Sequence, residues 1–185
     1  DYLLRKQKSQ QEEKITAFSW MVGQSRAMSD VFKTITLIAR SKASVLITGE
    51  SGTGKELIAG SIHNLSDRKS NPFVAINCSA IPENLFENEI FGHEKGSFTG
   101  AYQREIGKIE QSGEGTVFLD ELGDISIPHQ AKLLRVLQER EFLRIGGGEP
   151  IKANCRFIFA TNKNLEDMVK DGKFREDLFY RINVI

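Results

Sequence analysis

A glycine-rich turn between a short apolar strand and an amphipathic helix limits the possible folds of this chain more than any other segment. Residues 44–48 (SVLIT) are typical of a strand, and Ile58, Ile62 and Leu65 recur at helical spacing after the turn. The turn has the pattern G-x-x-x-x-G-K and consists of Gly49, Glu50, Ser51, Gly52, Thr53, Gly54 and Lys55. A strand, a glycine turn and a helix in this order predict an α/β fold.

The residue types in this turn are those that bind phosphate. Glycines let the backbone bend until successive N–H groups point at phosphate oxygens, and the following helix adds the positive end of its dipole. Lys55 supplies a point charge for the β- and γ-phosphates of a nucleotide. The next residue is usually a Ser or Thr that ligates magnesium, but here it is Glu56. A nucleotide site is predicted. The sequence leaves open which group replaces the Ser or Thr hydroxyl as a magnesium ligand. The alternative is a glycine turn that binds nothing.

A second apolar strand is followed by two adjacent carboxylates. Residues 116–119 (TVFL) precede Asp120 and Glu121 directly. In folds with a phosphate-binding turn, the strand beside the turn delivers an acid to the magnesium shell, and Asp120 fits this role. Because side chains alternate along a strand, Glu121 can point elsewhere and polarise an attacking water. Taken alone the pair also fits an exposed strand end, but together with the turn it favours hydrolysis.

The alternation of strands and helices continues along the chain. Strands are predicted at 73–77 (FVAIN) and 157–160 (FIFA), and helices at 30–40 and from about Pro128. A short hairpin is predicted within 141–154, which contains a run of three glycines. Near-continuous apolar strands separated by helices predict a parallel sheet that helices cover on both faces.

Composition and charge limit the possible partners. The 185 residues carry 25 Lys plus Arg and 25 Asp plus Glu, so no broad basic face for DNA is predicted. No apolar run approaches the ~20 residues that span a bilayer, and no signal peptide is visible. The cysteines and histidines lack the spacing of metal ligands. Cys78 and Cys155 are expected to be buried thiols in a reducing cytosol. Packing or surface roles are expected for His63, His93 and His129.

The first residues differ in composition from the rest. Residues 1–17 are polar and mixed in charge, and they predict a linker helix from an upstream regulatory domain. The compact domain is expected to span 18–185, with Trp20 packed against its edge. Because the chain opens at Asp1 without a Met, it is expected to be a piece of a longer protein.

A hexapeptide between the two nucleotide segments is the most specific motif of the chain. It resembles the GAFTGA loop of the AAA+ domains of sigma-54-dependent transcription activators, the bacterial enhancer-binding proteins, and consists of Gly96, Ser97, Phe98, Thr99, Gly100 and Ala101. Ser97 replaces the usual Ala. The turn GESGTGKE, with Glu56 after the lysine, is also the form that this family uses. The resemblance covers residues 22–185. By itself the hexapeptide leaves two alternatives open, because Phe98 either folds into the core or stands exposed as a partner contact.

The resemblance implies a P-loop NTPase of the AAA+ class. The expected fold is a three-layer sandwich with a parallel central sheet, and the C-terminal helical lid of the family is absent from this chain. ATP and Mg²⁺ are the implied cofactors. The implied partners are the sigma-54 subunit of RNA polymerase, gripped by Phe98 and Thr99, and further copies in a hexameric or heptameric ring. The protein is expected in the bacterial cytoplasm, away from membranes, with DNA bound only through an absent C-terminal domain.

The same resemblance implies roles for residues at other strand ends. Asn77 matches the polar residue that pairs with the catalytic glutamate, here Glu121, and senses the nucleotide state. Thr161 and Asn162 match the first sensor, which reaches the γ-phosphate or its water.

More distant matches complete the implied site. Val22 and Gly23 match the family's adenine contact. Arg175 and Arg181 match the arginines that a neighbouring subunit presents to the nucleotide, although two solvated helix arginines remain the alternative. Residues 141–154 resemble a second surface loop that moves with the first.

Two other classes of function stay open for the sequence. One is another AAA+ machine, such as a protein unfoldase or a chelatase motor, which shares the ATP site and acts on a different client. The other is a nucleotide-gated assembly module that signals by shape without hydrolysis. Glu121 and the two arginines argue against the module.

Overall fold

The computed structural model describes residues 25–185, so the predictions for residues 1–17, Trp20, Val22 and Gly23 lie outside the described part. Ser25 starts the first helix, because its side chain accepts the N–H of Met28. In chain order the elements are α1 (Arg26–Ala39), β1 (Val45–Thr48), α2 (Lys55–Asn64), β2 (Phe73–Asn77), α3 (Glu83–Phe91), β3 (Gly92–His93), β4 (Glu105–Ile106), α4 (Lys108–Ser112), β5 (Thr116–Asp120), α5 (Ile127–Glu139), β6 (Glu141–Phe142), β7 (Ile151–Lys152), β8 (Arg156–Thr161), α6 (Leu165–Lys170) and α7 (Glu176–Ile182).

The predicted parallel sheet is confirmed, with the strand order β1-β8-β5-β2. Strand β8 pairs with β1 through Val45 opposite Ile158 and with β5 through Phe118 opposite Ile158. The expectation that the acidic strand lies beside the strand of the glycine turn is therefore wrong. The reason is that β8 forms hydrogen bonds with both strands and occupies the place between them.

Helices cover the sheet on both faces. Phe118 and Ile158 pack with Ile35 of α1 and Ile62 of α2. Their neighbours on the same strands face the opposite cluster, which includes side chains of α3, α5 and α7; these neighbours are Val117, Leu119, Phe157 and Phe159. Each such side chain contributes about 1.5–3 kcal/mol on full burial. The predicted three-layer sandwich is confirmed, because alternate residues of the buried strands serve opposite helical layers.

Two small antiparallel pairs lie outside the main sheet. Strand β3 pairs with β4, and β6 pairs with β7. The β6–β7 pair confirms the hairpin predicted within 141–154. An isolated bridge between His93 and Ile145 joins the two pairs. Within residues 25–185, no helix combines the length and apolar character that crossing a bilayer requires.

Candidate nucleotide site and surface loops

The glycine turn leads from β1 into α2 without a side-chain cap on the helix. Gly52 and Gly54 have φ angles of 79° and 85°, a region that side-chain-bearing residues adopt only with strain. A Cβ on Gly49 would lie 3.0 Å from Thr53 Oγ1, so this position is also tight. Helix α2 begins at Lys55, and no side chain caps it. Its first-turn N–H groups lack intrahelical partners and are open to an anion.

Lys55 folds back over this turn and is almost fully buried, with 6% of its surface exposed. Its Nζ donates to the carbonyl oxygens of Gly49, at 3.0 Å, and Glu50, at 3.1 Å. The same Nζ lies 4.0 Å from Oε1 of Glu121. The glycine turn and the acidic strand end therefore share one cleft, although their strands are not neighbours. Glu56, in the first turn of α2, is exposed to solvent.

The two acids at the end of β5 differ in backbone conformation. Asp120 is the last strand residue, and its Oδ1 accepts the N–H of Glu121 at 2.9 Å. Glu121 has φ 52° and ψ 48°, the left-handed region, where a residue with a Cβ pays about 1–2 kcal/mol. This turn, and not alternation along the strand, aims Glu121 towards Lys55. Strained backbone of this kind concentrates at functional sites.

Strand β8 ties the two nucleotide segments together. The N–H of Gly49 donates to the carbonyl of Thr161 at 3.2 Å, and the N–H of Asn162 donates to Oε2 of Glu121 at 3.3 Å. Thr161 is fully buried, and its Oγ1 accepts the N–H of Lys163. The end of β8 therefore lies between the turn and the acids and contacts both.

Asn77 reaches the same edge of the sheet but is engaged locally. It lies opposite Asp120 in the β2–β5 register. Its Oδ1 accepts from the N–H of Ser79 at 3.0 Å and from the Ser79 hydroxyl at 2.7 Å, which caps the 3₁₀ turn Cys78–Ala80. The implied pairing of Asn77 with Glu121 stays a prediction.

Cys78, which follows Asn77, is buried near the acids. Burial, followed by the charges of Asp120 and Asp124, raises the pKa of its thiol to about 12. The thiol is therefore protonated at neutral pH, and a thiol in that state is a weak nucleophile. Within residues 25–185, no group of three or more His, Cys, Asp or Glu is arranged to hold a metal. The carboxylate of Asp120 at the end of β5 fits Mg²⁺, because this ion takes one or two protein carboxylates together with substrate phosphates and water.

The two arginines of the α7 region are bonded to nearby helices. Arg175 precedes α7 and forms a two-pronged ion pair with Asp177, with Nε and Nη2 at 3.0 and 2.7 Å from its oxygens. This hydrogen bonding raises the pKa of Arg175. Arg181 donates to the carbonyl of Leu137 at 2.9 Å. In the described part of the chain, these bonds tie both guanidinium groups to α5 and α7.

The hexapeptide closes on itself as a compact loop. The N–H of Gly96 donates to the carbonyl of Ala101 at 2.8 Å, and the N–H of Ala101 donates to the carbonyl of Phe98 at 3.0 Å. Gly96 and Gly100 have φ angles of 81° and 104°, so both need glycine. Phe98 is 48% exposed, and its ring centroid lies 4.9 Å from that of His93. The structure therefore lies between the two alternatives, with one part of Phe98 packed and the other open.

The β6–β7 hairpin is anchored on the base of this loop. The N–H of Glu94 donates to the carbonyl of Ile145, and the N–H of Ile145 donates to the carbonyl of Gly92. Arg144 reaches Oε1 of Glu94 at 2.5 Å and both carboxylate oxygens of Glu110, at 2.6 and 3.0 Å. Sequence reasoning missed this clasp, because no local pattern pairs Arg144, within the predicted second loop, with Glu94 and Glu110.

Replacing Gly146 by Ala is expected to separate the hairpin from the hexapeptide. Gly146 has a φ of +73°, and a Cβ there would lie 2.6 Å from Cβ of Ser97. Backbone strain and overpacking together predict a loss of roughly 2–4 kcal/mol in the free energy of unfolding. Urea denaturation measures this loss.

Gly148→Ala is the matched control. A Cβ at Gly148 meets nothing within 4 Å. Its free energy of unfolding should stay within about 0.5 kcal/mol of the unsubstituted value. Equal losses in the two variants would refute the contact between Gly146 and Ser97.

Comparisons with known proteins agree with this geometry. The sigma-54 interaction domain family matches residues 21–185. Regulatory protein AtoC of Escherichia coli (strain K12) is 57% identical over 172 residues, which are 92% of this chain and 37% of AtoC. The crystal structure of NtrX from Brucella abortus in complex with ATP superposes with a TM-score of 0.83 at 38% identity, over 98% of this chain and 40% of that chain.

Other matches fit the same pattern. DNA-binding transcriptional regulator NtrC of Salmonella typhimurium is 54% identical over 165 residues, covering 89% of this chain and 35% of that protein. The chain thus spans about a third of the length of the curated relatives that it matches. The family model covers most of the chain, and the matched residues include the glycine turn, the strands of the parallel sheet and the hexapeptide. The chain therefore belongs to the sigma-54 interaction domain family, the AAA+ P-loop NTPase domains of sigma-54-dependent transcription activators.

Proposed function

We propose that this domain hydrolyses ATP with Mg²⁺ in the bacterial cytoplasm and uses the energy to remodel the closed promoter complex of sigma-54 RNA polymerase. The observation that carries the proposal is the 4.0 Å approach of Lys55 Nζ to Glu121 Oε1 beside the uncapped start of α2. This arrangement places a phosphate-binding cation next to a carboxylate able to polarise water. Membership of the sigma-54 interaction domain family is the reason for proposing sigma-54 as the partner.

The phosphates are held by the turn and by Asp120. Backbone N–H groups and the ammonium of Lys55 bind the phosphate oxygens. Asp120 would ligate Mg²⁺, which when bound would neutralise charge on the β- and γ-phosphates. The adenine contacts Val22 and Gly23. The proposed nucleotide-binding residues of the turn are Gly49, Glu50, Ser51, Gly52, Thr53, Gly54, Lys55 and Glu56.

Hydrolysis is assigned to residues at the strand ends. Glu121 orients and polarises the attacking water, and the Asn162 N–H donates to its Oε2. Thr161 and Asn162 report the γ-phosphate. Asn77 leaves Ser79 and pairs with Glu121 in one of the nucleotide states, which requires breaking the two bonds that now hold it.

The site is completed by a neighbouring copy in our proposal. Arg175 and Arg181 are presented in trans to the nucleotide, which requires Arg175 to release Asp177. An arginine placed on the transferring phosphoryl group is worth ~10³–10⁵ in rate. A head-to-tail contact of this kind closes into a ring, which we propose is a hexamer or heptamer. Residues 18–185 are the ATPase subdomain of that ring, and 1–17 its linker to an upstream regulatory domain.

Force reaches the client through the hexapeptide loop. Phe98 and Thr99 lie at its tip between the two glycines with positive φ, and both are exposed. An exposed aromatic on a short loop with glycine hinges provides a contact for a partner. The clasp of Arg144 with Glu94 and Glu110 keeps the hairpin and the loop together as one unit.

Replacing Thr99 by Ala tests the client. The ATPase rate should stay within about twofold, because the bonds of Lys55 and Glu121 in the described residues do not involve Thr99. Binding to sigma-54 in the ATP-bound state should fall at least ~10-fold. Phosphate release and a sigma-54 pull-down measure the two properties. Leu37→Ala, which removes an 80%-exposed apolar side chain from α1, is the control and should change neither. Unchanged sigma-54 binding in Thr99→Ala would contradict the assignment of the loop.

A further inference from the structure

We propose that His93 is a positioning residue for Phe98. His93 holds the Phe98 ring in the orientation in which that ring contacts the partner. The proposal rests on the proposed function of the loop as the sigma-54 contact and deepens it. It concerns the side chain beneath the loop, outside the hexapeptide itself.

The first observation is the ring contact. The ring centroids of His93 and Phe98 lie 4.9 Å apart with an interplanar angle of 56°, within the range in which aromatic pairs attract. The backbone bonds of the loop, between Gly96 and Ala101 and between Ala101 and Phe98, fix the turn but not the side-chain torsions of Phe98. The direction of the Phe98 ring is therefore set by the surface on which it packs, and the His93 ring is part of that surface.

The second observation is that His93 is itself held from several sides. It is 4% exposed, and its Nδ1 lies 2.6 Å from Oδ1 of Asn88 in α3. The Glu105 carboxylate lies 3.8 Å from the same nitrogen, and the backbone of His93 pairs with Glu105 and bridges to Ile145. Such a ring has lost its freedom to rotate before Phe98 packs on it.

These two observations together give a fixed platform beneath an exposed contact. One side of Phe98 rests on an immobilised ring, and about half of its surface stays open to solvent, at 48% exposure. Such an arrangement preorganises an aromatic anchor, because the entropy of orienting the ring is lost in the free protein and not on binding. Loss of the platform should weaken partner binding without altering hydrolysis, since His93 has no contact with Lys55 or Glu121 in the described residues.

The matched variants are His93→Phe and His93→Leu. Both remove the bond to Asn88, but only Phe keeps an aromatic ring under Phe98. Aromatic pairs contribute about 0.5–1.5 kcal/mol beyond burial, which corresponds to ~2–10-fold in affinity. Sigma-54 binding in the ATP-bound state should therefore fall ~2–10-fold in His93→Leu and stay closer to the unsubstituted value in His93→Phe. Phosphate release should be unchanged in both, and thermal unfolding checks that both fold.

A double-substitution cycle with Phe98→Ala decides how His93 acts. If His93 works through Phe98, His93→Leu causes no further loss of sigma-54 binding in a Phe98→Ala background. Additive losses, or equal binding by His93→Leu and His93→Phe, would overturn the proposal for His93. Unchanged binding by Phe98→Ala alone would instead overturn the assignment of the loop. Asn88→Ala keeps His93 but removes one of the contacts that hold its ring. It serves as a second test if both His93 variants unfold, with a smaller loss of binding expected.

Discussion

Replacing Lys55 by Ala is expected to weaken ATP binding roughly 10²–10³-fold, because two or more charge-assisted hydrogen bonds to phosphate are lost. Lys55 Nζ now donates to two carbonyl oxygens of its own turn and lies near Glu121, so it is already held where the phosphates would enter. Titration with a fluorescent ATP analogue measures the loss. The substitution also leaves Glu121 without its buried cation, so thermal unfolding should be recorded in parallel.

Lys33→Ala is the control for this experiment. Lys33 lies on α1, and its side chain is 74% exposed and paired with Asp30. Because exposed pairs contribute about 0–1 kcal/mol, ATP affinity and stability should both stay close to the unsubstituted values. A folded Lys55→Ala protein with normal ATP affinity would remove the glycine turn from the nucleotide site.

Glu121→Gln is expected to lower the rate of ATP hydrolysis ~10²–10⁴-fold, the usual contribution of a positioned general base. The amide keeps the size of the side chain and an oxygen that accepts the N–H of Asn162, but it cannot take a proton from water. ATP binding should be retained, because the substitution removes a negative charge 4.0 Å from Lys55 and leaves the turn intact. Phosphate release at saturating ATP and a parallel binding titration separate the two properties.

Asp124→Asn is the matched control for Glu121. Asp124 belongs to the 3₁₀ turn that follows Glu121 and pairs with Lys163 at 2.6 Å on the surface. We expect its hydrolysis rate to stay within about threefold, since this charge faces Lys163 and a surface pair contributes little. Full turnover by Glu121→Gln would show that another group activates the water.

Local patterns in the sequence determined the elements and the residue types of the site. The strand at 73–77 and the helix near Pro128 follow from runs of apolar residues and helical spacing, and the structure has them at Phe73–Asn77 and Ile127–Glu139. The glycine turn was also predictable from the sequence, because positive φ angles and the start of a helix depend on the residues at those positions. The hexapeptide was recognisable as a motif, but its contacts with the β6–β7 hairpin and with His93 were not predicted.

Only the tertiary structure decided which segments meet. Strand β8 entered between β1 and β5, because strand order depends on pairing between distant segments and leaves no trace in local periodicity. The direction of Glu121 came from a left-handed turn after the strand, and Asn77 was engaged by Ser79. The contact of His93 with Phe98 likewise depends on α3, β4 and the hairpin converging around one ring. Residue types are local information, but the cleft between Lys55 and Glu121 exists only because packing of the whole sheet brings two distant strand ends together.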